Sequence, residues 1–378
     1  MASAGSGEAI YLDYNASTPI EPVVAAVVQR FLETDYGNPS SSHWATRRAK
    51  GALDRPRGQV AALLGCASDE IVFTSGGSDA NNLAIKGLFY LRGDRPAHIV
   101  TSQIEHPAIL APCRFLERLG ATVTYVPVDG SGLIDPDDIR KAITKDIFLI
   151  SIMHANSEVG TTQSVAEVAK IARAHGIPLH TDAAQSVGMI PTNVDALAVD
   201  LLSVAGHKVY APKGIGALYI RRGIAIEPLI HGAGHEAGRR AGTESALLAA
   251  GLGMACEVAQ AWIGTTATQG LRDLFWHRLR AAFGNRVVLD GHPDRRLPNT
   301  LNASFVGHVG AEILALMPDV AASTGSACHS GQMTLSPVLE AVGIAPEVGI
   351  GAIRFSLGRR TTQDEVEKVV EQLRRVLV

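Results

Sequence analysis

The sequence is poor in cysteine, in charge of one sign and in long uninterrupted apolar runs. Four cysteines, Cys66, Cys113, Cys256 and Cys328, are scattered through 378 residues without a CxxC pair. That spacing disfavours a disulfide framework or a zinc site, leaves no metal expected, and fits a reducing, cytoplasmic compartment. Lysine and arginine number 34 against 37 aspartates and glutamates, a net charge of −3. No basic field is present for nucleic acid or acidic lipid. Residues Met1 to Glu8 have neither the basic region nor the apolar core of a secretory signal. The most apolar long stretch, Ser245 to Gly264, contains Glu257 with several Gly and Ala, so it reads as a buried helix and not a membrane span. No internal repeat or low-complexity segment is evident.

What is there is enough apolar residue, 46%, for a sizeable core in one large or two moderate domains. Between residues 70 and 221, short β-rich runs alternate with helical patterns. The runs are Ile71–Thr74, His98–Thr101, Thr122–Val128, Ile147–Met153, Ile177–His180, Asp200–Val204 and Ile215–Ile220. Stretches of helical character, Ala80 to Leu91, Pro107 to Leu119 and Val165 to His175, lie between them. The alternation predicts an α/β domain with a mostly parallel, seven-stranded sheet. After about residue 262 the pattern changes to a helix, Leu271 to Phe283, then strand-like runs and a C-terminal helix from Thr362 to Leu377. The last has apolar residues at 366, 369, 370, 373, 376 and 377, close to helical period. This predicts a smaller α+β domain.

The residues with chemistry follow the ends of the strand runs, where open α/β sheets bind ligands. Asp182 follows one run, and Lys208 follows another behind His207. A lysine amine that forms a Schiff base with an aldehyde, and a carboxylate that keeps a pyridinium nitrogen protonated, are what pyridoxal phosphate chemistry needs. Thr74 to Asn82 runs from a strand through Gly76 and Gly77 into a helix. Free N–H groups there, with the Ser78 hydroxyl, suit a phosphate; the competing reading is an ordinary turn with Ser78 as N-cap. His106, before Pro107, suits stacking on a cofactor ring and proton shuttling, although a lone histidine is often structural. Asn156 suits a ring hydroxyl, or an Asx-turn. Arg354, inside an apolar run, needs an anion: an amino-acid carboxylate or a structural ion pair. Cys328 sits among Gly and Ser, which suggests a mobile, exposed loop, and His329 beside it suits a thiolate. The other three cysteines read as buried and inert.

These motifs, with Tyr11–Pro19, Gly37–Ser40 and Arg354–Arg359, resemble a cysteine desulfurase over nearly the whole chain. The resemblance is to the class V aminotransferase group of fold type I pyridoxal phosphate enzymes, with close similarity to selenocysteine lyases. It implies a large cofactor domain over residues 15–261 and a small domain over 1–14 and 262–378 carrying the Cys328 loop and Arg354. It implies that Lys208 is the Schiff-base lysine and proton shuttle, that Asp182 holds the pyridine nitrogen, and that His106 stacks on the ring. Asn156 and Gln185 would bond the ring oxygen; Gly77, Ser78 and His207 would bind phosphate. Thr243 would reach the cofactor of a neighbouring subunit, which implies a homodimer. Arg354, with Asn156, would bind substrate, and Cys328 would form a persulfide passed to an acceptor protein or thiol.

The sequence departs from the family at Ala205, where many relatives have a phosphate-binding Ser, and at Ser78, where many have Thr. His329 and the stretch Ser336–Leu339 look more like the selenocysteine lyase branch. The chain ends at Val378, short of the tail with which housekeeping desulfurases help dock an iron–sulfur scaffold, so such docking is left open. The reading is therefore a desulfurase making L-alanine from L-cysteine. The alternative is a selenocysteine lyase or another carbon–sulfur β-lyase. A transaminase has no need of the Cys328 loop. A catalytically dead sulfur-relay protein has no need of Lys208, Asp182 and His106 together.

Overall fold

A computed structural model describes residues 9–44, 51–329 and 332–377; the side chains of residues 326–329, 332 and 333 are outside the description. After a short first strand, β1 (Ile10–Tyr11), come the seven strands expected from the sequence. They are β2 (Ile71–Thr74), β3 (His98–Ser102), β4 (Thr122–Val126), β5 (Ile147–Ser151), β6 (Leu179–Asp182), β7 (Leu201–Ala205) and β8 (Gly216–Ile220). They form one sheet in the order β2-β8-β7-β6-β5-β3-β4. The pairs from β7 through β4 are parallel, whereas β8 runs antiparallel to both β7 and β2.

Alternate residues of these strands enter different hydrophobic clusters. Phe73, Val100, Ile150, Leu202 and Ala217 pack with the helices Asp54–Leu64, Val165–Ala174 and Ala246–Gln260. Val72, Ile99, Leu149, Leu201 and Leu218 pack with the helices Gly77–Tyr90 and Pro107–Glu117. Both faces of the sheet are therefore covered, which is why its strands read as continuous apolar runs. The Ser245–Gly264 stretch forms the buried helix Ala246–Gln260, and among the described residues no helix is long and apolar enough to cross a membrane.

The rest of the chain builds a second, smaller core. Strands β9 (Val287–Asp290), β10 (Thr300–Phe305), β12 (Ser323–Thr324) and β15 (Ala352–Ser356) make an antiparallel sheet in the order β12-β15-β10-β9. The helices Ala267–Phe283 and Gln363–Leu377 pack on it, with Phe275 and Phe355 ring centroids 5.0 Å apart. β1 pairs with β11 (Val320–Ala321), so Ile10 and Leu12 belong to this C-terminal core. The chain then leaves it at Asp13 and Asn15 to reach the large sheet. Strands β13 (Ser326–His329) and β14 (Gln332–Leu335) form an antiparallel hairpin in which Cys328 pairs with Met333. The stretch expected as a mobile loop around Cys328 is thus, over its described residues, a backbone ladder. Gly and Ser content alone does not separate such a strand pair from a free loop.

Candidate active site

One cavity of about 590 Å³ opens at the carboxyl ends of β2, β5, β6 and β7. Gly76, Gly77, Ser78, His106, Asp182, Gln185, His207 and Lys208 all line it. Lys213 adds a further cation to its wall.

The helix Gly77–Tyr90 starts at this cavity, with Gly76 as its N-cap and Ala80 N donating the first helical bond to Gly76 O at 3.1 Å. The preceding N–H groups have no acceptor within the helix and carry its positive end. Gly76 has φ 147° and ψ −179°, a conformation that only glycine adopts readily. Ser78 is therefore not the cap; it lies in the first turn, on the cavity. His207 completes this corner. Its Nδ1 is buried with no hydrogen-bond partner. Burial, then Lys208, Lys213 and His106, push its pKa down to about 4, so the ring is neutral. A free helix start and an unpartnered imidazole nitrogen beside Lys213 suit a phosphate group.

Asp182 ends β6 and is almost fully buried. Its Oδ2 accepts from Asn81 Nδ2 at 2.7 Å and its Oδ1 from Ala184 N at 2.9 Å. Both bonds fix the orientation of the carboxylate. Beneath it, His180 links Ser151 and Ser203 through both ring nitrogens, each at 2.9 Å, and burial holds it neutral at about 4. The carboxylate thus stands on a neutral, fully bonded support.

Lys208 follows β7 in a short 3-10 turn, Gly206–Lys208. Burial and the Arg354 charge lower its pKa to about 8, against the opposing pull of Asp182 and Asp13. The amine is consequently within reach of deprotonation near neutral pH. Its Nζ donates to the backbone carbonyl of Asn15, which also accepts from Gln185 Nε2 at 3.0 Å. Thr18 brackets the lysine: its N and Oγ1 donate to His207 O at 2.8 and 3.0 Å, and its Oγ1 accepts from Tyr210 N at 2.9 Å. Tyr210 adopts φ 66°, strained for an aromatic residue, and Arg359 N holds its hydroxyl at 2.8 Å.

His106 caps the helix Pro107–Glu117: its Nδ1 accepts from Ala108 N at 3.1 Å, which leaves the ring proton on Nε2. Burial lowers its pKa; Asp182 opposes and Lys208 reinforces the shift.

Three expected residues do not line the cavity. Asn156 makes an Asx-turn: Oδ1 accepts from Glu158 N at 2.8 Å and Val159 N at 3.0 Å, while Nδ2 donates to Ile104 O at 3.0 Å. Its second amide hydrogen is directed toward Met153 Sδ at 3.6 Å, so the side chain is committed to shaping its own loop. Arg354 stands behind the wall, with Nη1 on Ser157 O at 3.1 Å and Nη2 on Asp13 Oδ1 at 2.7 Å and Ser323 Oγ at 2.9 Å. Its Nε is buried without a partner. Thr243 lines an adjoining cleft of about 200 Å³ that shares Ser75, Gly214 and Ile215 with the main cavity. The side chain of Cys328 lies outside the described residues. Among the other cysteines, burial pushes Cys66, Cys113 and Cys256 all up to about 12, which leaves them as thiols.

The sequence reading assigned no role to Asp13, Asn15, Thr18, Asn81 or Glu158. The first three fall within Tyr11–Pro19 and Asn81 within Thr74–Asn82, so their motifs were visible while their contacts were not. Among the described residues no group of three metal-ligating side chains comes together.

A corner suited to phosphate, a buried carboxylate and a lysine of lowered pKa on one cavity of a doubly covered sheet fit a pyridoxal phosphate enzyme of fold type I. The chain belongs to the class V aminotransferase family, whose model matches residues 10–369, and its members depend on that cofactor. It is 45% identical over 372 residues to a protein of Dictyoglomus turgidum named cysteine desulfurase IscS, covering 97% of this chain and 94% of that one. A solved NifS-like protein superposes with a TM-score of 0.92 at 34% identity, covering 98% and 99% of the two chains. SspA, solved in complex with cysteine, superposes with a TM-score of 0.82 at 38% identity over 92% and 98%.

Proposed function

We propose that the chain is a cysteine desulfurase, forming L-alanine from L-cysteine and carrying the sulfur as a persulfide on Cys328. The reading is carried by Lys208 and Asp182 facing one cavity beside a phosphate corner. Curated relatives with the desulfurase name favour it over the selenocysteine lyase alternative.

When bound, pyridoxal 5'-phosphate supplies an aldehyde for the substrate amine and a ring that takes up electron density from Cα. Gly77, Ser78 and His207 hold its phosphate, Asp182 keeps its ring nitrogen protonated, and His106 covers its face. Gln185 serves the ring oxygen, while Asn156 supports that side by holding the 156–159 turn. Arg354 binds the substrate carboxylate; its Nε is the guanidinium nitrogen that has no partner, while Nη1 and Nη2 are held by Ser157, Asp13 and Ser323. Lys208 would hold the cofactor through its aldehyde, and its amine, lowered to about 8, would take the Cα proton. The Cys328 thiolate attacks the substrate sulfur. An S–S bond forms, the Cβ–S bond breaks with its electron pair going to carbon, Cβ gains a proton to become the alanine methyl, and Lys208 returns a proton to Cα. A thiol on an acceptor protein or small molecule then takes the terminal sulfur and restores Cys328.

We place the cofactor-binding domain at 15–261 and the small domain, carrying Cys328 and Arg354, at 1–14 and 262–378. Thr243, on the outer cleft, serves the cofactor of a second subunit in a homodimer. L-selenocysteine fits the same carboxylate and amine contacts.

The test is anaerobic alanine formation from L-cysteine and L-selenocysteine, with a thiol reductant, for wild type and Cys328→Ala. Turnover of cysteine by wild type and not by the variant supports the reading. Turnover of selenocysteine alone, retained by the variant, replaces it with a selenocysteine lyase.

A further inference from the structure

The short turn after β5 serves two neighbouring structures with consecutive residues. Ser157 O braces Arg354 Nη1 and accepts Asn15 Nδ2 at 3.0 Å. The next side chain, Glu158, reaches the foot of the hairpin that carries Cys328. Its Oε2 accepts from Ser336 Oγ at 2.6 Å. Ser336 is where the hairpin closes: its N donates to Gly325 O at 2.8 Å, and its Oγ accepts from Val338 N at 3.1 Å to start the helix Pro337–Ala341. On the other side of the foot, a Cβ at Gly325 would stand 3.2 Å from Glu158 Oε1 and 2.6 Å from Leu339 Cδ1. Glycine there is what lets the carboxylate approach. Oε1 itself is buried and has no partner.

We propose that Glu158, in its ionised form, is a positioning residue that fastens the foot of the Cys328 hairpin to the turn bracing Arg354. This rests on the reading of Cys328 as the sulfur acceptor. A carboxylate accepts from a hydroxyl more strongly than a neutral carboxyl does. Around Glu158, Ser336 on the hairpin side and Arg354 on β15 favour the ionised form, and Asp290 on β9 opposes it; Arg354 is itself paired with Asp13. Burial outweighs these and sets its pKa at about 7. The fastening therefore strengthens as pH rises through neutrality.

The experiment compares the holoenzymes of wild type, Glu158→Gln, Ser336→Ala and Ser336→Thr. Glutamine has the acceptor oxygen without the charge, so it copies the protonated state. Relative to wild type, kcat of Glu158→Gln for alanine formation is expected to be near parity at pH 6 and about 10-fold lower at pH 8.5, with KM for cysteine little changed. Ser336→Ala should show the same pH-dependent loss and Ser336→Thr should restore the rate. The rate of Cys328 alkylation by iodoacetamide should differ between Glu158→Gln and wild type at pH 8.5 and converge at pH 6. A ratio that is constant with pH, or a Ser336→Ala enzyme that behaves as wild type, overturns the proposal. Alanine formation by Cys328→Ala would instead remove the reading beneath it, and that outcome is scored separately.

Discussion

Asn81 Nδ2 donates a 2.7 Å hydrogen bond to Asp182 Oδ2 across 101 residues of sequence. The donor comes from the helix that opens at the phosphate corner and the acceptor from the end of β6. One side chain thereby ties the group expected at the cofactor's ring nitrogen to the helix expected at its phosphate. Replacing Asn81 with Ala leaves Oδ2 without that donor. Hydrogen bonds to charged groups contribute about 1.5–3 kcal/mol, so kcat/KM for cysteine should fall about 10- to 100-fold while the cofactor is retained. Steady-state kinetics with absorbance of the bound cofactor checks this; unchanged kinetics would assign Asn81 a packing role only.

Thr18→Val keeps the shape of the side chain and removes its hydroxyl. Tyr210 N then loses its acceptor in a buried place, and His207 O loses one of its two donors. Such a loss costs about 1–3 kcal/mol. The urea midpoint should drop, and the cofactor should be bound more weakly because the backbone on both sides of Lys208 is released. Thr18→Ser, which retains the oxygen, should behave close to wild type in both measurements.

Glu105 supplies a pH prediction. It is fully buried, its Oε1 accepting from Ser102 Oγ at 2.7 Å and Met153 N at 2.9 Å, and its Oε2 has no partner. Burial raises its pKa from 4.5 to about 8, against the hydrogen bonds from Met153 and Ser102, with Asp182 adding to the rise. The native state thus keeps a proton that the unfolded chain releases above 4.5, so this group's contribution to stability is lost as pH rises from 4.5 through 8. Glu105→Gln should gain stability relative to wild type at pH 8.5 and little at pH 5, read as the difference in urea midpoints. His154 and His180, lowered from 6.5 to about 4 by burial, act in the opposite window. Their contribution is present above 6.5 and is lost as pH falls through 4.

Arg354→Lys replaces a planar fork with a point charge. The contacts to Asp13, Ser157 and Ser323 use separate guanidinium hydrogens, and the unpaired Nε has no counterpart in lysine. KM for cysteine should rise about 10- to 100-fold with a smaller change in kcat, since the contact is made in the ground state as well. An unchanged KM would move carboxylate recognition to another residue.

The large sheet was legible because its strands are buried on both faces and each is a continuous apolar run between helical stretches. The cavity was legible because its residues follow those runs directly, as Asp182 follows Leu179 and Lys208 follows Ala205. The orientation of β8 was not, since period and composition are the same for a strand running either way. Asn156 carries the residue type of both a ring-oxygen donor and an Asx-turn, and only its four contacts separate the two. The contacts of Asp13, Thr18 and Glu158 were not legible, although the first two lie within Tyr11–Pro19. Their partners, Arg354, His207 and Ser336, stand far along the chain, and a polar residue in a loop looks the same with or without such a partner.

The path of residues 10–18 has a consequence for biosynthesis. β1 pairs with β11, Asn15 N donates to Ser356 Oγ at 2.9 Å, and Asn15 Nδ2 donates to Thr300 Oγ1 at 2.8 Å. The carbonyl that receives Lys208 is therefore held in place by segments made after the large sheet. A ribosome that has passed β8 has delivered every strand of the large sheet, yet the lysine still lacks its settled acceptor. The hydrogen-bond setting of Lys208 is accordingly completed only after residues 300–356 have been made.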